Sequence, residues 1–254
     1  MLSEPAGEAR SLEGKRLIVT GASRGIGRAI AVACAQRGAI VGINFNRSEK
    51  DARDVADALG ANAILLGFDV CDSAAVGLAF DAFVARTGGI DGLVNNAAIN
   101  RPSLLVSACD DDIDAVVRTN LIGPMMCIRA AIPAMLRARH GVIVNIGSVA
   151  SERPSRGQSV YAATKGALES LTRAVAVEYG RKGIRCHCIR PGPVDTDMLA
   201  VTKALAADRI LARIPLERFI QPEEIANLAV FLISDRASGI TGAVHTIDGG
   251  FEST

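Results

Sequence analysis

Tyr161 and Lys165 stand four residues apart in Tyr161-Ala-Ala-Thr-Lys165, and Ser148 lies thirteen residues upstream. Side chains at i and i+4 share one helix face, one above the other. A free phenol has a pKa of about 10 and is almost wholly protonated at neutral pH. An ammonium beside it favours the phenolate. That brings a tyrosine towards the working range of a general acid/base. A serine hydroxyl can hydrogen-bond the oxygen whose proton the tyrosine gives or takes. The spacing is short and frequent on exposed helix faces, so its weight comes from the rest of the chain.

Near the N-terminus, Lys15-Arg-Leu-Ile-Val-Thr20 has the composition of a short apolar strand. It runs into Gly21-Ala-Ser-Arg-Gly25-Ile-Gly27, and a helical stretch follows to about Gly38. Strand, glycine turn and helix are the setting of a dinucleotide fingerprint. The glycines permit a tight turn and let a diphosphate approach backbone amides at a helix N-terminus. The spacing here is G-x-x-x-G-x-G, and a purely structural glycine turn is the competing explanation.

These residues need a scaffold. Candidate strands are Arg16–Thr20, Ile40–Phe45, Ala63–Phe68, Gly92–Asn95, Val142–Ile146, Ile184–Ile189 and Ala243–Ile247. Most are continuous apolar runs, as expected of parallel strands covered on both faces. Helical stretches lie between them; Leu168, Leu171, Val175 and Tyr179 mark one face, and Pro222 suits a first helical turn. The pattern predicts an α/β fold: one Rossmann-like doubly wound domain over residues 13–254, with a seven-stranded parallel sheet and helices on both faces. Ligands of such sheets bind at the carboxyl ends of the strands. Gly21, Asp69, Asn96, Ser148 and Pro191 all fall there.

Composition fits an ordinary globular chain of 254 residues, 49% hydrophobic and 22% charged. The net charge of +1 gives no support for nucleic-acid binding. No continuous 18-residue apolar run predicts a membrane span. Residues 1–12 lack an apolar signal core and are expected to form a loose tail. The six cysteines form no C-x-x-C pair, and in Cys186-His187-Cys188 the histidine points away from both thiols if the segment is a strand. No metal site is expected. Reduced thiols in a cytoplasmic protein are the expectation.

Thr20-Gly-Ala-Ser-Arg-Gly-Ile-Gly27, Asn95-Asn-Ala-Ala98, Asn120, Ser148, Tyr161-x-x-x-Lys165 and Pro191-Gly192 together resemble the short-chain dehydrogenase/reductase family. The resemblance covers about residues 12–251. Ala98 departs from the family's usual Gly and should be tolerated where φ is negative. The resemblance implies Tyr161 as general acid/base, Ser148 orienting the substrate oxygen, and Lys165 lowering the tyrosine pKa while holding the nicotinamide ribose. It gives Asn120 a water-linked proton path to the lysine; a local kink residue is the alternative, because Asn is poor inside helices. It places the diphosphate on Gly21, Ser23, Arg24, Gly25, Ile26 and Gly27, and the adenine on Asp69 and Val70. Asp69 has a competing explanation as a helix N-cap, for which Asp72 and Ser73 also qualify. Asn96 and Ala97 are implied on the nicotinamide-side wall, and Pro191, Gly192, Val194 and Thr196 near the carboxamide. Asn95 is read as a sheet-locking residue.

The second strand ends Ile43-Asn-Phe-Asn-Arg-Ser48, with no acid to bind a ribose 2′-hydroxyl. Arg24 and Arg47, with Asn46 between strand and loop, suit a 2′-phosphate, so NADP(H) is favoured and NAD(H) stays open. Within the family the look is closest to 3-oxoacyl-[acyl-carrier-protein] reductases. Arg139 matches one of their docking arginines, but Val177 occupies the second position, and Arg153 and Arg156 replace a small glycine-rich loop. Sugar, polyol or other secondary-alcohol dehydrogenases remain the alternative. Residues 198–215 are expected to form the specificity lid. The resemblance also implies a homo-oligomer, dimer or tetramer, through 103–139 and 159–179. A non-catalytic nucleotide-binding regulator would share the fold, but the intact Asn120, Ser148, Tyr161 and Lys165 set argues against it.

Overall fold

The structure is a computed structural model that describes residues 11–254, without the side chains of 198 and 200–205. Seven parallel strands form one sheet in the order β3-β2-β1-β4-β5-β6-β7. They are β1 (Arg16–Val19), β2 (Ile40–Phe45), β3 (Ala63–Gly67), β4 (Gly92–Asn95), β5 (Gly141–Ile146), β6 (Ile184–Pro191) and β7 (Val244–Ile247). All seven expected strands are present, with ends displaced by two residues at most. The order reverses between β1 and β4, which opens a crevice beyond their carboxyl ends.

Each sheet face has its own core. One face packs α1 (Gly25–Gln36) and α8 (Pro222–Ile233) through Ile30, Cys34, Ile225 and Ala229. The other packs α3 (Ser73–Thr87), α5 (Gly123–Ala138) and part of α6 (Ser159–Tyr179) through Phe80, Phe83, Ile128, Met135 and Val175. Phe80 and Phe83 are fully buried, and each such side chain contributes about 1.5–3 kcal/mol. α2 (Glu49–Leu59), α4 (Asp110–Val117) and α7 (Asp197–Leu211) complete the helices.

Leu12 shortens the expected tail. It is fully buried in the first core, and its N–H donates to the Arg37 carbonyl. Residues 1–10 of that tail lie outside the described residues. The continuous helical stretch Asp110–Ala138 is long and apolar enough to cross a membrane. Here it carries a π-turn at Arg118–Ile122, and Cys127, Ile128, Ala131 and Met135 pack into the sheet core. All six cysteines are free thiols, and His187 pairs with Arg185 and His245 rather than with sulfur.

Candidate active site

The glycine turn is built from inside the sheet. Gly21 and Gly25 adopt φ of 61° and 54°, which side-chain-bearing residues rarely take. A Cβ on Gly27 would overlap the Gly21 carbonyl and the Asn96 side chain. Two residues with no role read from the sequence hold this turn. Asn44, buried in β2, accepts the Gly21 N–H at 3.0 Å and donates to the Leu66 and Phe68 carbonyls. Thr20 Oγ1 accepts the N–H groups of Asn96 and Ala97 at 2.9 and 3.1 Å. The signal for Asn44 was a polar residue inside an otherwise apolar covered strand.

Asn96 also has a structural task. Its side-chain amide donates to the Thr20 and Gly21 carbonyls, both at 3.0 Å, so it ties β4 to the glycine turn at the crevice. Asn95 locks the sheet as read, donating to Asn145 at 2.8 Å. Ala98 keeps a negative φ, since Arg139 and Glu217 are the non-glycine residues with positive φ among the described residues. Replacing Gly27 by Ala is expected to cost about 1–3 kcal/mol through overpacking. That lowers Tm by about 2–4 °C per kcal/mol in a chain of this size, with weaker cofactor binding. A thermal melt with and without nucleotide checks it; an unchanged melt and affinity would mean the turn has room to open.

The open cradle at the α1 N-terminus fits a diphosphate: free backbone amides, no Cβ in the way, and the positive end of a helix dipole. Ser23 and Ile26 flank it, half-buried. Arg24, exposed at the α1 N-cap, lies 3.7 Å from Asp197 at the start of α7. Arg47 and Asn46 are exposed just beyond β2. Asp69 does not cap α3; Asp72 does, accepting from Ala74 and Ala75. The Asp69 carboxylate instead accepts from Asn46 Nδ2 and the Cys71 N–H, both at 2.9 Å. Val70 is buried against Gly123. Across the crevice Gly192 packs on Asp248, Val194 bridges to Ile220, and the Thr196 methyl faces Gly25.

Ser148, Tyr161 and Lys165 come together at the carboxyl end of β5. Lys165 is buried; its Nζ donates to the Ile146 carbonyl at 2.7 Å and sits 5.6 Å from the Tyr161 ring centre. Ser148 opens a 3-10 turn, Val149–Ser151, and its Oγ accepts the Ala150 N–H at 3.1 Å. The serine proton is therefore left for another oxygen. Burial raises the Tyr161 pKa, and the Ser148 hydroxyl opposes that shift. Burial pushes Lys165 down to about 8, with the Cys188 thiol opposing it. The hydroxyl that opposes the burial shift of the phenol is that of Ser148, while Lys165 is turned onto a strand carbonyl.

Asn120 is buried in the π-turn, a feature frequent at functional sites. Its side chain grips Ile99 twice, accepting the N–H and donating to the carbonyl, each at 2.9 Å. It also donates to Thr164 Oγ1 at 3.4 Å, whose hydroxyl bonds the Tyr161 carbonyl at 2.7 Å. The loop after β4 is thereby fixed to α6. The lid expected over 198–215 corresponds to α7, kinked at Ala206, and to Ile214, which packs with Val149, Phe219 and Phe251.

A doubly wound sheet, a glycine cradle at its crevice and paired serine and tyrosine hydroxyls beside a lysine define a nucleotide-linked oxidoreductase of carbonyl and CH–OH groups. Residues 21–252 match the family model described as enoyl-(acyl carrier protein) reductase. The chain belongs to the short-chain dehydrogenase/reductase family. It is 41% identical over 243 residues to the 3-oxoacyl-[acyl-carrier-protein] reductase FabG of Escherichia coli, covering 94% of this chain and 98% of that one. The fold is similar to a gluconate 5-dehydrogenase from Burkholderia cenocepacia in complex with NADP and tartrate. That match has a TM-score of 0.92 and 36% identity, over 98% of this chain and 100% of that one. A 3-ketoacyl-(acyl-carrier-protein) reductase from Brucella melitensis complexed with NADH matches with a TM-score of 0.90 and 32% identity, over 95% and 99%.

Proposed function

We propose that this protein is an NADP(H)-preferring reductase of 3-oxoacyl thioesters. The carrying observation is the Ser148 hydroxyl, whose oxygen is held by a backbone N–H and whose proton is turned to the Tyr161 side, where the reacting oxygen would sit. Two hydroxyl donors suit one carbonyl oxygen, which favours ketone over alkene reduction. The nicotinamide, when bound, supplies or accepts the hydride. Tyr161 gives its proton to the carbonyl oxygen and Ser148 orients that oxygen. Lys165 holds the ribose side, while Asn120 keeps the loop after β4 in register. The FabG likeness supports the thioester.

The polyol or sugar-acid reading is the second one. Arg153 and Arg156, exposed between Ser148 and Tyr161, suit an anionic small substrate, and the gluconate 5-dehydrogenase likeness points the same way. Carrier docking has one charge in place: Arg139 caps α5, exposed, while Val177 is 83% exposed at the other position. Turnover with both cofactors against a 3-oxoacyl thioester, free and carrier-bound, and against sugar acids and polyols separates the two. Thioester reduction with NADPH is expected. Arg139→Glu should reduce kcat/KM for the carrier-bound thioester and leave the free one within about twofold, since docking charges act on encounter. Activity on a sugar acid with none on any thioester would move the protein to the second reading.

We place it in the cytoplasm, in keeping with its free thiols. We read it as a homo-oligomer through 103–139 and 159–179. Leu105, Val106 and Val177, which stand 62%, 92% and 83% exposed, lie on those segments.

A further inference from the structure

One turn beyond Lys165, α6 carries an acid that the proposed chemistry does not use. The Glu169 side chain is 5% exposed, and a buried carboxylate requires partners. Arg190 grips it with two parallel bonds, Nε to Oε1 at 2.8 Å and Nη2 to Oε2 at 2.7 Å. The same guanidinium reaches Glu252 in the C-terminal turn at 3.1 Å and Glu152 after Ser148 at 3.1 Å. Arg190 itself directly precedes Pro191 on β6. One cation therefore joins four segments that border the reacting groups.

The second partner of Glu169 is the Ser151 hydroxyl, 2.7 Å from Oε1. Ser151 closes the short turn that Ser148 opens. The Ser148 carbonyl, 2.8 Å from that hydroxyl, already accepts the Ser151 N–H at 3.0 Å. A hydroxyl has one proton, and the carboxylate is the stronger acceptor. The bond to Glu169 thus fixes the far end of the turn whose Ala150 N–H aims Ser148 Oγ.

We infer that Glu169, held by Arg190, is a positioning residue: through Ser151 it fixes the turn that directs the Ser148 hydroxyl at the reacting oxygen. This rests on the reading of Ser148 and Tyr161 as the reacting hydroxyls. Ser148 opposes the rise of the Tyr161 pKa that burial causes. A loosened turn lets the phenol hold its proton more tightly. Alcohol oxidation, which needs the phenolate, then moves to higher pH. The groups facing this region are Lys165 and Arg173 from α6, Cys188 and Arg190 from β6, Glu152 from the serine loop and Glu252 from the C-terminal turn. None is altered in a Ser151 variant.

The test uses the full chain and Ser151→Ala, Ser151→Thr and Glu169→Gln. Melting temperature, NADPH dissociation constant and the pH profile of 3-hydroxyacyl thioester oxidation are measured. Ser151→Ala and Glu169→Gln should lower kcat on the order of tenfold, because small misplacements at a reacting centre are costly. Their rising pH limb should move to higher pH, with NADPH affinity unchanged. Ser151→Thr, which keeps the hydroxyl, should restore both. A native kcat and limb in Ser151→Ala would overturn the inference, as would a kcat loss that only tracks melting temperature with the limb unmoved. If Glu169→Gln does not fold, the Ser151 pair decides. Near-native turnover of Tyr161→Phe would instead sink the underlying reading and leave a different signature.

Discussion

Tyr161→Phe is expected to reduce kcat on the order of 10²-fold or more while leaving fold and cofactor binding intact. Only a hydroxyl is removed, from a ring that keeps its place on α6. Its proton state also sets a direction of pH. Burial keeps the phenol protonated beyond its ordinary range, which is the state that carbonyl reduction needs. Reduction should therefore run on a plateau through neutral pH and fall only where the phenol ionises. Oxidation needs the phenolate and should rise with pH instead. Lys165→Ala should reduce kcat and weaken cofactor binding together. Steady-state kinetics in both directions, with nucleotide binding followed by fluorescence, check all three. Near-native turnover in Tyr161→Phe would show that the proton comes from elsewhere.

The sheet was legible because most of its strands are continuous apolar runs, a pattern that parallel strands covered on both faces produce. The glycine turn was legible for a related reason: positive φ and close approach leave glycine as the residue that fits. Long-range polar bonds left a fainter mark. Nothing in Ile40–Phe45 says that Asn44 reaches the Gly21 amide, since that contact joins two strands through the turn. Asn96 was read by family position, yet its amide holds the turn; the motif gives the residue type and the bonding gives its task. Leu12 sits among polar neighbours in the sequence, yet its N–H reaches the Arg37 carbonyl after α1 and its side chain enters the core there. The Lys165 ammonium was placed on the tyrosine by helix spacing, whereas the nearer acceptor is the end of β5. Spacing along one helix does not report what a neighbouring strand offers. Glu169 and Arg190 are twenty-one residues apart, and only the packing of α6 on β6 brings them together.

The second large effect concerns the cofactor phosphate. Arg24→Ala combined with Arg47→Ala is expected to weaken NADPH binding on the order of 10²-fold and NADH binding only slightly. Each charge-assisted contact to a phosphate contributes about 1.5–3 kcal/mol when well formed, and 1.4 kcal/mol is tenfold in affinity. The residues past β2, Asn46-Arg47-Ser48, contain no carboxylate to repel a phosphate. Asp69, the nearby acid, is held by Asn46 and the Cys71 N–H. The two arginines stand differently. Arg47 is exposed on its loop, while Arg24 lies 3.7 Å from Asp197 with side chains 68% and 78% exposed. Exposed pairs of that kind contribute about 0–1 kcal/mol, so a phosphate can displace the carboxylate at small cost. Arg47→Ala alone should carry the larger share of the loss. Added salt should weaken NADPH more than NADH, because the contacts are exposed and screened. Titrations of both nucleotides at low and high ionic strength measure this. A native protein that binds NADPH and NADH equally, or a double variant that loses both alike, would remove the two arginines as the phosphate site.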